Sequence, residues 1–209
     1  MPIIVRSPFE NYPPRWSLFD RYALIPLGVF GFVGETGDVN RFAARYRAAK
    51  SFKGATFEGL THDTADGYSA LCRLLLTYSA FEYFLRAIGL QMRHTGSLLA
   101  DNEREQVQKH LRQLAGQAEL MRFLKAHVES RFQTQINHHL ASAPANPFYL
   151  AASMRHAFAH GALTATPAGV PSGTVASVAR YLVRVLFRVV DREFERRMVE
   201  FEAIMAGDR

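Results

Sequence analysis

The sequence predicts an all-α protein, a helical bundle with a long C-terminal helix and an irregular N-terminal arm. Apolar residues recur at steps of three and four over several long segments, which is the period of an α-helix buried on one face. No segment shows the alternation of apolar and polar residues that indicates a half-buried strand. The first 36 residues contain five of the nine prolines, a composition that favours irregular structure.

The N-terminal part of the chain is expected to lie across the helical core. Asp38 is placed to cap a short basic helix that continues to Ala49. We therefore divide the chain into residues 1–60, an arm and short helix packed on the core, and residues 61–209, the main helical domain. The expected apolar anchors of the arm are aromatic: Phe9, Trp16 and Phe19.

Composition limits the classes of function. The chain has 209 residues and a formal net charge of +6, which favours anionic partners such as nucleic acid. The chain has one cysteine, Cys72, so no disulfide forms within it. Cys72 lies in an apolar run and is expected to pack in the core. The N-terminus lacks a signal-peptide pattern, and the apolar segment 23–33 is too short to span a bilayer. We expect a cytoplasmic protein without membrane contact.

Three segments carry the periodicity of core helices. Residues 65–90 are predicted to form a buried helix. Asp101 is placed to cap the region 102–140, which begins as a charged helix and continues as a long helix or a helical hairpin. Residues 174–205 are predicted to form the long amphipathic C-terminal helix.

A further helix has clear signals at both ends. Asn146 offers a side-chain cap, and Pro147 suits the first helical position because its missing N–H would be unpaired there in any case. The helix is predicted to run to about His160 and to stop at Gly161, which is suited to the left-handed closing conformation. The composition of residues 164–173 then indicates a loop.

The end of this helix, residues 155–161 (RHAFAHG), carries an arginine and two histidines directly before the predicted loop. On an α-helix His156 and His160 lie within ~40° of each other, whereas Arg155 lies ~140° from His160. A guanidinium neutralises and orients a phosphate through two parallel hydrogen bonds, and an imidazole moves protons near neutral pH. These groups suit phosphodiester cleavage without a metal.

The pattern resembles the signature of the HEPN superfamily, the all-helical domains of many prokaryotic RNases. That signature is an arginine, four to six residues and a histidine, commonly with a polar residue after the arginine. Here it reads Arg155, the polar His156, three residues and His160, and the match covers seven residues of 209. The resemblance implies an HEPN-like domain over residues 61–209. It also implies a homodimer in which two motifs face each other across a cleft that holds RNA.

The resemblance also implies a reaction. His160 would act as general base or acid in the attack of a ribose 2′-hydroxyl on phosphorus, which leaves a 2′,3′-cyclic phosphate end. Arg155 would stabilise the developing charge, and His156 would position these groups or share the proton transfer. Glu82 is expected to help orient the motif through Arg155. Arg86 is its other possible partner, and an exposed position on the helix is the simpler alternative.

A toxin or a defence factor is the biological role that the resemblance implies, with an antitoxin protein as a possible partner. Toxins paired with a nucleotidyltransferase antitoxin often carry a tyrosine two residues after the motif histidine, where the antitoxin modifies it. Ala162 occupies that position here, so modification by this route is not expected. No cofactor is expected, because the sequence contains no phosphate-binding glycine loop.

Three alternatives stay open. Arg155 and His160 can be structural, the arginine paired with a carboxylate and the histidine held at a helix C-terminus. His156 and His160 have the spacing of paired zinc ligands, but no glutamate follows His156. The adjacent His138 and His139, expected on a polar helix surface, add no metal-binding spacing. The third alternative is a non-catalytic helical module that binds nucleotide, RNA or a protein.

Overall fold

The computed structural model describes residues 9–207, and its regular elements in that range are helical, with no strand. The all-α prediction is confirmed. Two short 3₁₀ helices accompany the α-helices. The α-helices are α1 (Trp16–Arg21), α2 (Thr36–Ser51), α3 (His62–Ala87), α4 (Asp101–Gln113), α5 (Gln117–His127), α6 (Ser130–Leu140), α7 (Pro147–Ala159) and α8 (Thr174–Gly207).

The centre of the bundle is the packing of α3 against α2, α7 and α8. α3 has 26 residues, and the side-chain oxygen of Thr61 caps its start by accepting from the Thr64 N–H at 3.4 Å. Aromatic rings join the three longest helices. The Phe42 ring lies 5.1 Å from that of Phe84 and 6.1 Å from that of Phe194, between ring centroids. The predicted helix over 65–90 is therefore confirmed, shifted by three residues toward the N-terminus.

The N-terminal segment packs on the C-terminal half of α8. Trp16 and Phe19 are buried, and the Trp16 ring stacks on Phe194 at 5.4 Å. The buried Arg197 fixes the arm by donating from Nε to the carbonyl oxygen of Gly31 at 3.3 Å. Of the predicted anchors Phe9 is only partly buried, and the arm's first eight residues lie outside the described range.

Two predicted caps are wrong. Asp38 lies within the first turn of α2, which begins two residues earlier, and no side chain caps that helix. Asp101 is the first residue of α4 rather than its cap. Glu103 stabilises that start instead, since its Oε2 accepts from the N–H of Ala100 at 3.1 Å. Acidic residues in a first turn interact favourably with the helix dipole, so both aspartates favour a helix start without marking its first residue.

The region 102–140 forms three helices instead of the predicted long helix or hairpin. Gly116 separates α4 from α5 with a φ of +72°, in the left-handed region that suits glycine. Val128 separates α5 from α6 in an extended conformation, and the side chain of Gln133 donates to its carbonyl oxygen at 3.0 Å. This side-chain contact substitutes for the helical hydrogen bond that the carbonyl loses at the break.

The two helices that follow agree with the sequence. α7 begins at Pro147, where the Asn146 Oδ1 accepts from the N–H of Phe148 at 3.0 Å. The loop over 164–173 is confirmed, and α8 extends the predicted C-terminal helix to Gly207. No helix in residues 9–207 has both the length and the apolar character needed to cross a bilayer.

The prediction that His138 and His139 share a polar surface is wrong for one of them. His138 is exposed, whereas His139 is 1% exposed, and its Nε2 lies 2.8 Å from the side-chain oxygen of Gln117 on α5. Burial, and to a smaller extent the nearby charge of Arg112, lower the pKa of His139 to about 4. The ring is therefore neutral at pH 7, in a hydrogen bond that joins α5 to α6.

His139 should make the protein less stable as the pH falls. In the unfolded chain this histidine binds a proton near its ordinary pKa of about 6.5, but in the folded protein only near pH 4. Its contribution is complete above pH 6.5 and is lost between about pH 6.5 and 4, by about 3 kcal/mol of unfolding free energy. Urea unfolding at a series of pH values should show this loss in wild type and in the control His138→Gln. It should be much smaller in His139→Gln, and equal slopes in all three would contradict the assignment.

Candidate functional site

The end of α7 sets the position of the predicted motif. The helix ends at Ala159, and the N–H of His160 donates to the carbonyl oxygen of His156 at 3.1 Å. Gly161 follows with a φ of +75°, and its N–H donates to the carbonyl oxygen of Phe158 at 3.0 Å. The predicted stop of the helix is confirmed. Because the last turn stays helical up to this point, the rings of His156 and His160 lie 4.4 Å apart, between centroids.

Arg155 and His156 line a cleft of about 280 Å³ between α3, α6 and α7. Glu82 lines the same cleft from α3, so the structure brings together three of the four residues predicted from sequence. His160 does not line it. Aromatic and basic side chains complete the wall: Tyr78 on α3, Arg131 and Phe132 on α6, and Tyr149 on α7.

The Arg155 guanidinium has free capacity for hydrogen bonds. Its Nη2 lies 3.7 Å from Oε2 of Glu82, and both side chains are partly exposed. An ion pair this long and this solvated contributes little to stability. The Nε of Arg155 is shielded from solvent and has no hydrogen-bond partner. Glu82 therefore contacts Arg155, one of the two partners considered from sequence, without satisfying it.

His156 is held between an aromatic ring and a carboxylate. Its side chain is 16% exposed, its ring lies 5.4 Å from that of Phe132, and its Nε2 lies 3.5 Å from Oε1 of Glu129. Burial lowers the pKa of His156, and the neighbouring His160 lowers it further, while the carboxylate of Glu129 acts in the opposite direction. The neutral imidazole is favoured near pH 7, and that form is able to accept a proton.

His160 lies outside the cleft at the exposed end of α7. Arg155 and His160 are five residues apart, which corresponds to ~140° around the helix, so within one chain the two side chains leave α7 in different directions. The ring of His160 contacts the ring of His156, which lines the cleft. The pair expected from the resemblance is thus not assembled on one face of a single chain.

Sequence analysis missed Arg131 on α6 and Tyr78 on α3. Arg131 lines the cleft and pairs with Glu129 at 3.0 Å between Nε and Oε2. Tyr78 is buried at the cleft wall, and its burial, followed by the charge of Glu82, raises its pKa. Both lie far from the motif along the chain, and no spacing in the sequence connects them to it. Only the packing of α3 and α6 against α7 brings them there.

The alternative of a metal site gains no further ligand. Among residues 9–207, no group of three or more histidine, cysteine, aspartate or glutamate side chains is arranged to hold a metal ion. Comparison of the chain with protein-family models, with curated proteins and with solved structures found no match. A functional assignment therefore depends on the side chains of the cleft and their surroundings.

The pKa of His156 should respond in opposite directions to two neighbouring substitutions. His160→Ala removes the electrostatic effect by which this neighbour lowers the pKa of His156, so the variant should raise that pKa toward its ordinary value. Glu129→Gln removes a negative charge and should lower it. A pH titration of the histidine ring protons by NMR measures both shifts, with His156→Asn to assign the signal. His138→Ala is the control that leaves the value unchanged, and shifts of the same sign in the two test variants would contradict this electrostatic description.

Proposed function

We propose that this protein is a metal-independent endoribonuclease of the HEPN type that acts as a toxin or a defence factor. One observation carries the proposal: a guanidinium with an unpartnered Nε and an imidazole that favours its neutral form line the same cleft. Arg155 offers charge and paired donors to a phosphate, and His156 offers a base. The further basic side chain of Arg131 suits a polyanionic substrate.

In the proposed reaction the neutral imidazole of His156 takes the proton of a ribose 2′-hydroxyl. The 2′-oxygen forms a bond to phosphorus, and the bond from phosphorus to the 5′-oxygen breaks. His160 of a second copy of the chain donates a proton to the leaving 5′-oxygen. Arg155 stabilises the charge on the phosphoryl oxygens. The products are a 2′,3′-cyclic phosphate and a 5′-hydroxyl, and no water is consumed.

Homodimerisation is part of the proposal. Since Arg155 and His160 of one chain leave α7 in different directions, a second copy that places its own His160 beside Arg155 would complete the pair. A two-fold axis near the end of α7 would do this twice and create two equivalent sites. RNA would then lie between the protomers.

The activity test is cleavage of labelled single-stranded RNA in the presence of EDTA. Wild type should cut it and leave cyclic phosphate ends, which mass spectrometry identifies. Arg155→Ala, His156→Ala and His160→Ala should each lower the rate by about 100-fold or more, the size expected for loss of acid–base or charge stabilisation. Arg122→Ala on α5 and His138→Ala on α6 are matched controls outside the cleft and should retain the wild-type rate.

Three results would reject this function. The first is RNA left intact by wild type, and the second is cleavage that EDTA abolishes, which would favour the metal alternative. The third is a large fall in melting temperature for His160→Ala, which would indicate that this residue is structural. An oligonucleotide with 2′-deoxyribose at the cut position should not be cleaved, because the attacking hydroxyl is missing.

Mixing two inactive variants tests the shared site. A dimer of one Arg155→Ala chain and one His160→Ala chain contains one site with both substitutions and one site with neither. Random exchange should restore about a quarter of the wild-type activity, because half of the dimers are mixed and each has one intact site. If Arg155 and His160 act within one chain, mixing restores nothing and the shared site is rejected.

A non-catalytic binding module is the second candidate. The observation in its favour is that His160 lies outside the cleft, while Arg155 and His156 are available to bind an anion without proton transfer. Wild type would then bind RNA, nucleotide or a partner protein without cleavage, and Arg155→Ala would weaken binding alone.

A further inference from the structure

A second concave site lies between the C-terminal end of α2, the N-terminal half of α3 and the N-terminal half of α8. We call it the basic pocket, and its volume is about 240 Å³. Within residues 9–207, no carboxylate lines it. Its wall contains four cations: Lys53, Arg73, Arg180 and Arg184.

Three of these four cations have no carboxylate partner. Arg180 forms an ion pair with Asp66 on α3. Over residues 9–207, Lys53, Arg73 and Arg184 form no ion pair. The Nε of Arg73 is also shielded from solvent and lacks a hydrogen-bond partner. A buried N–H group that has no hydrogen-bond acceptor costs free energy, and a ligand that supplies an acceptor removes that cost.

A position at the C-terminal end of a helix, which favours a cation, explains only one of the three cations that lack a carboxylate partner. Lys53 follows the end of α2, where the helix dipole favours positive charge. Arg73 lies in the middle of α3, and Arg184 lies almost three turns into α8, so neither benefits from a helix end in this way. Phe187 is buried and lines the pocket, and the centroid of its ring lies 6.0 Å from the guanidinium carbon of Arg73. Such apolar surroundings reduce solvent screening and strengthen the attraction for an anion.

We propose that the basic pocket binds a phosphate group. Arginine side chains match phosphate oxygens with paired, charge-assisted hydrogen bonds, and Arg73 and Arg184 have that capacity free. The volume of the pocket is below the range of about 300–1,000 Å³ typical for drug-sized ligands, so it encloses a phosphate and its immediate attachments. The group comes either from an RNA backbone or from a small phosphorylated molecule.

The basic pocket is separate from the cleft of the proposed function. Arg73 and Glu82 are nine residues apart on α3, which places them ~180° apart around that helix. The two sites share no lining residue. Phosphate binding in the pocket is therefore independent of RNA cleavage, and either proposal can fail without the other.

The test is a titration with sodium pyrophosphate at constant ionic strength, with the melting temperature followed by circular dichroism. Wild type should be stabilised in a saturable manner. Arg73→Met and Arg184→Met should each weaken the apparent affinity by about tenfold, the size of a lost charge-assisted hydrogen bond. Arg184 is exposed, so this variant should fold normally even if Arg73→Met does not.

One control isolates the pocket. Arg122→Met removes an exposed arginine of α5 outside both sites, so it should respond to pyrophosphate as wild type does. The proposal is overturned if wild type shows no saturable response. It is equally overturned if Arg184→Met responds like wild type.

The source of the phosphate is decided by two further probes. If RNA supplies it, Arg184→Met should weaken binding of a labelled single-stranded RNA, and pyrophosphate should compete with that RNA. If a small molecule supplies it, ADP should stabilise wild type but not Arg184→Met, and RNA affinity should be the same in both. The pocket is rejected if Arg184→Met binds all three probes as wild type does.

Discussion

The burial of α3 between α2, α7 and α8 is the constraint on which the rest of the structure depends. The contact is close: a Cβ built on Gly67 would lie 2.7 Å from the Cβ of Ala165, in the loop that follows α7. A helix enclosed in this way leaves few directions for polar side chains. Glu82 reaches the cleft on one side, and Arg73 reaches the basic pocket on the other, ~180° away. α3 therefore separates the two sites and contributes a cation to the basic pocket and a carboxylate to the cleft.

The features that the sequence predicted well depend on neighbours along the chain. The start of α7 at Asn146 and its end before Gly161 are each set by one or two residues whose backbone preferences are local. α3 and α8 are long enough for their apolar period to be unmistakable. Asp38 and Asp101 lie inside the first turns of their helices, so an acidic residue indicates that a helix begins nearby without identifying its cap. The contact of Arg155 with Glu82 was expected as one of two options, since a carboxylate among apolar residues needs a partner.

The features that the sequence did not predict depend on packing between distant segments. His139 is buried because α5 brings Gln117 against it, and nothing in the two adjacent histidines distinguishes the one that turns inward. Arg131 lines the cleft, and Glu129 contacts His156, because the chain turns at Val128, where a continuous apolar period hides the break. The ~140° between Arg155 and His160 follows from the helix, but the position of the proposed second copy does not.

Charge balance distinguishes the two sites chemically. In the cleft, Arg155 pairs with Glu82, and Glu129 pairs with the lining residues Arg131 and His156, so an incoming phosphate would meet carboxylates as well as cations. These exposed pairs are weak, and they can be displaced, but they limit how tightly the cleft holds a phosphate in its ground state. Under the proposed function this is an advantage, because rate is gained only from interactions that strengthen as charge develops on phosphorus. Among the described residues, no carboxylate lies in the wall of the basic pocket, so three of its four cations would act on an anion without such competition, while Arg180 pairs with Asp66. Under the two proposals, the basic pocket is therefore suited to holding a phosphate and the cleft is suited to changing one.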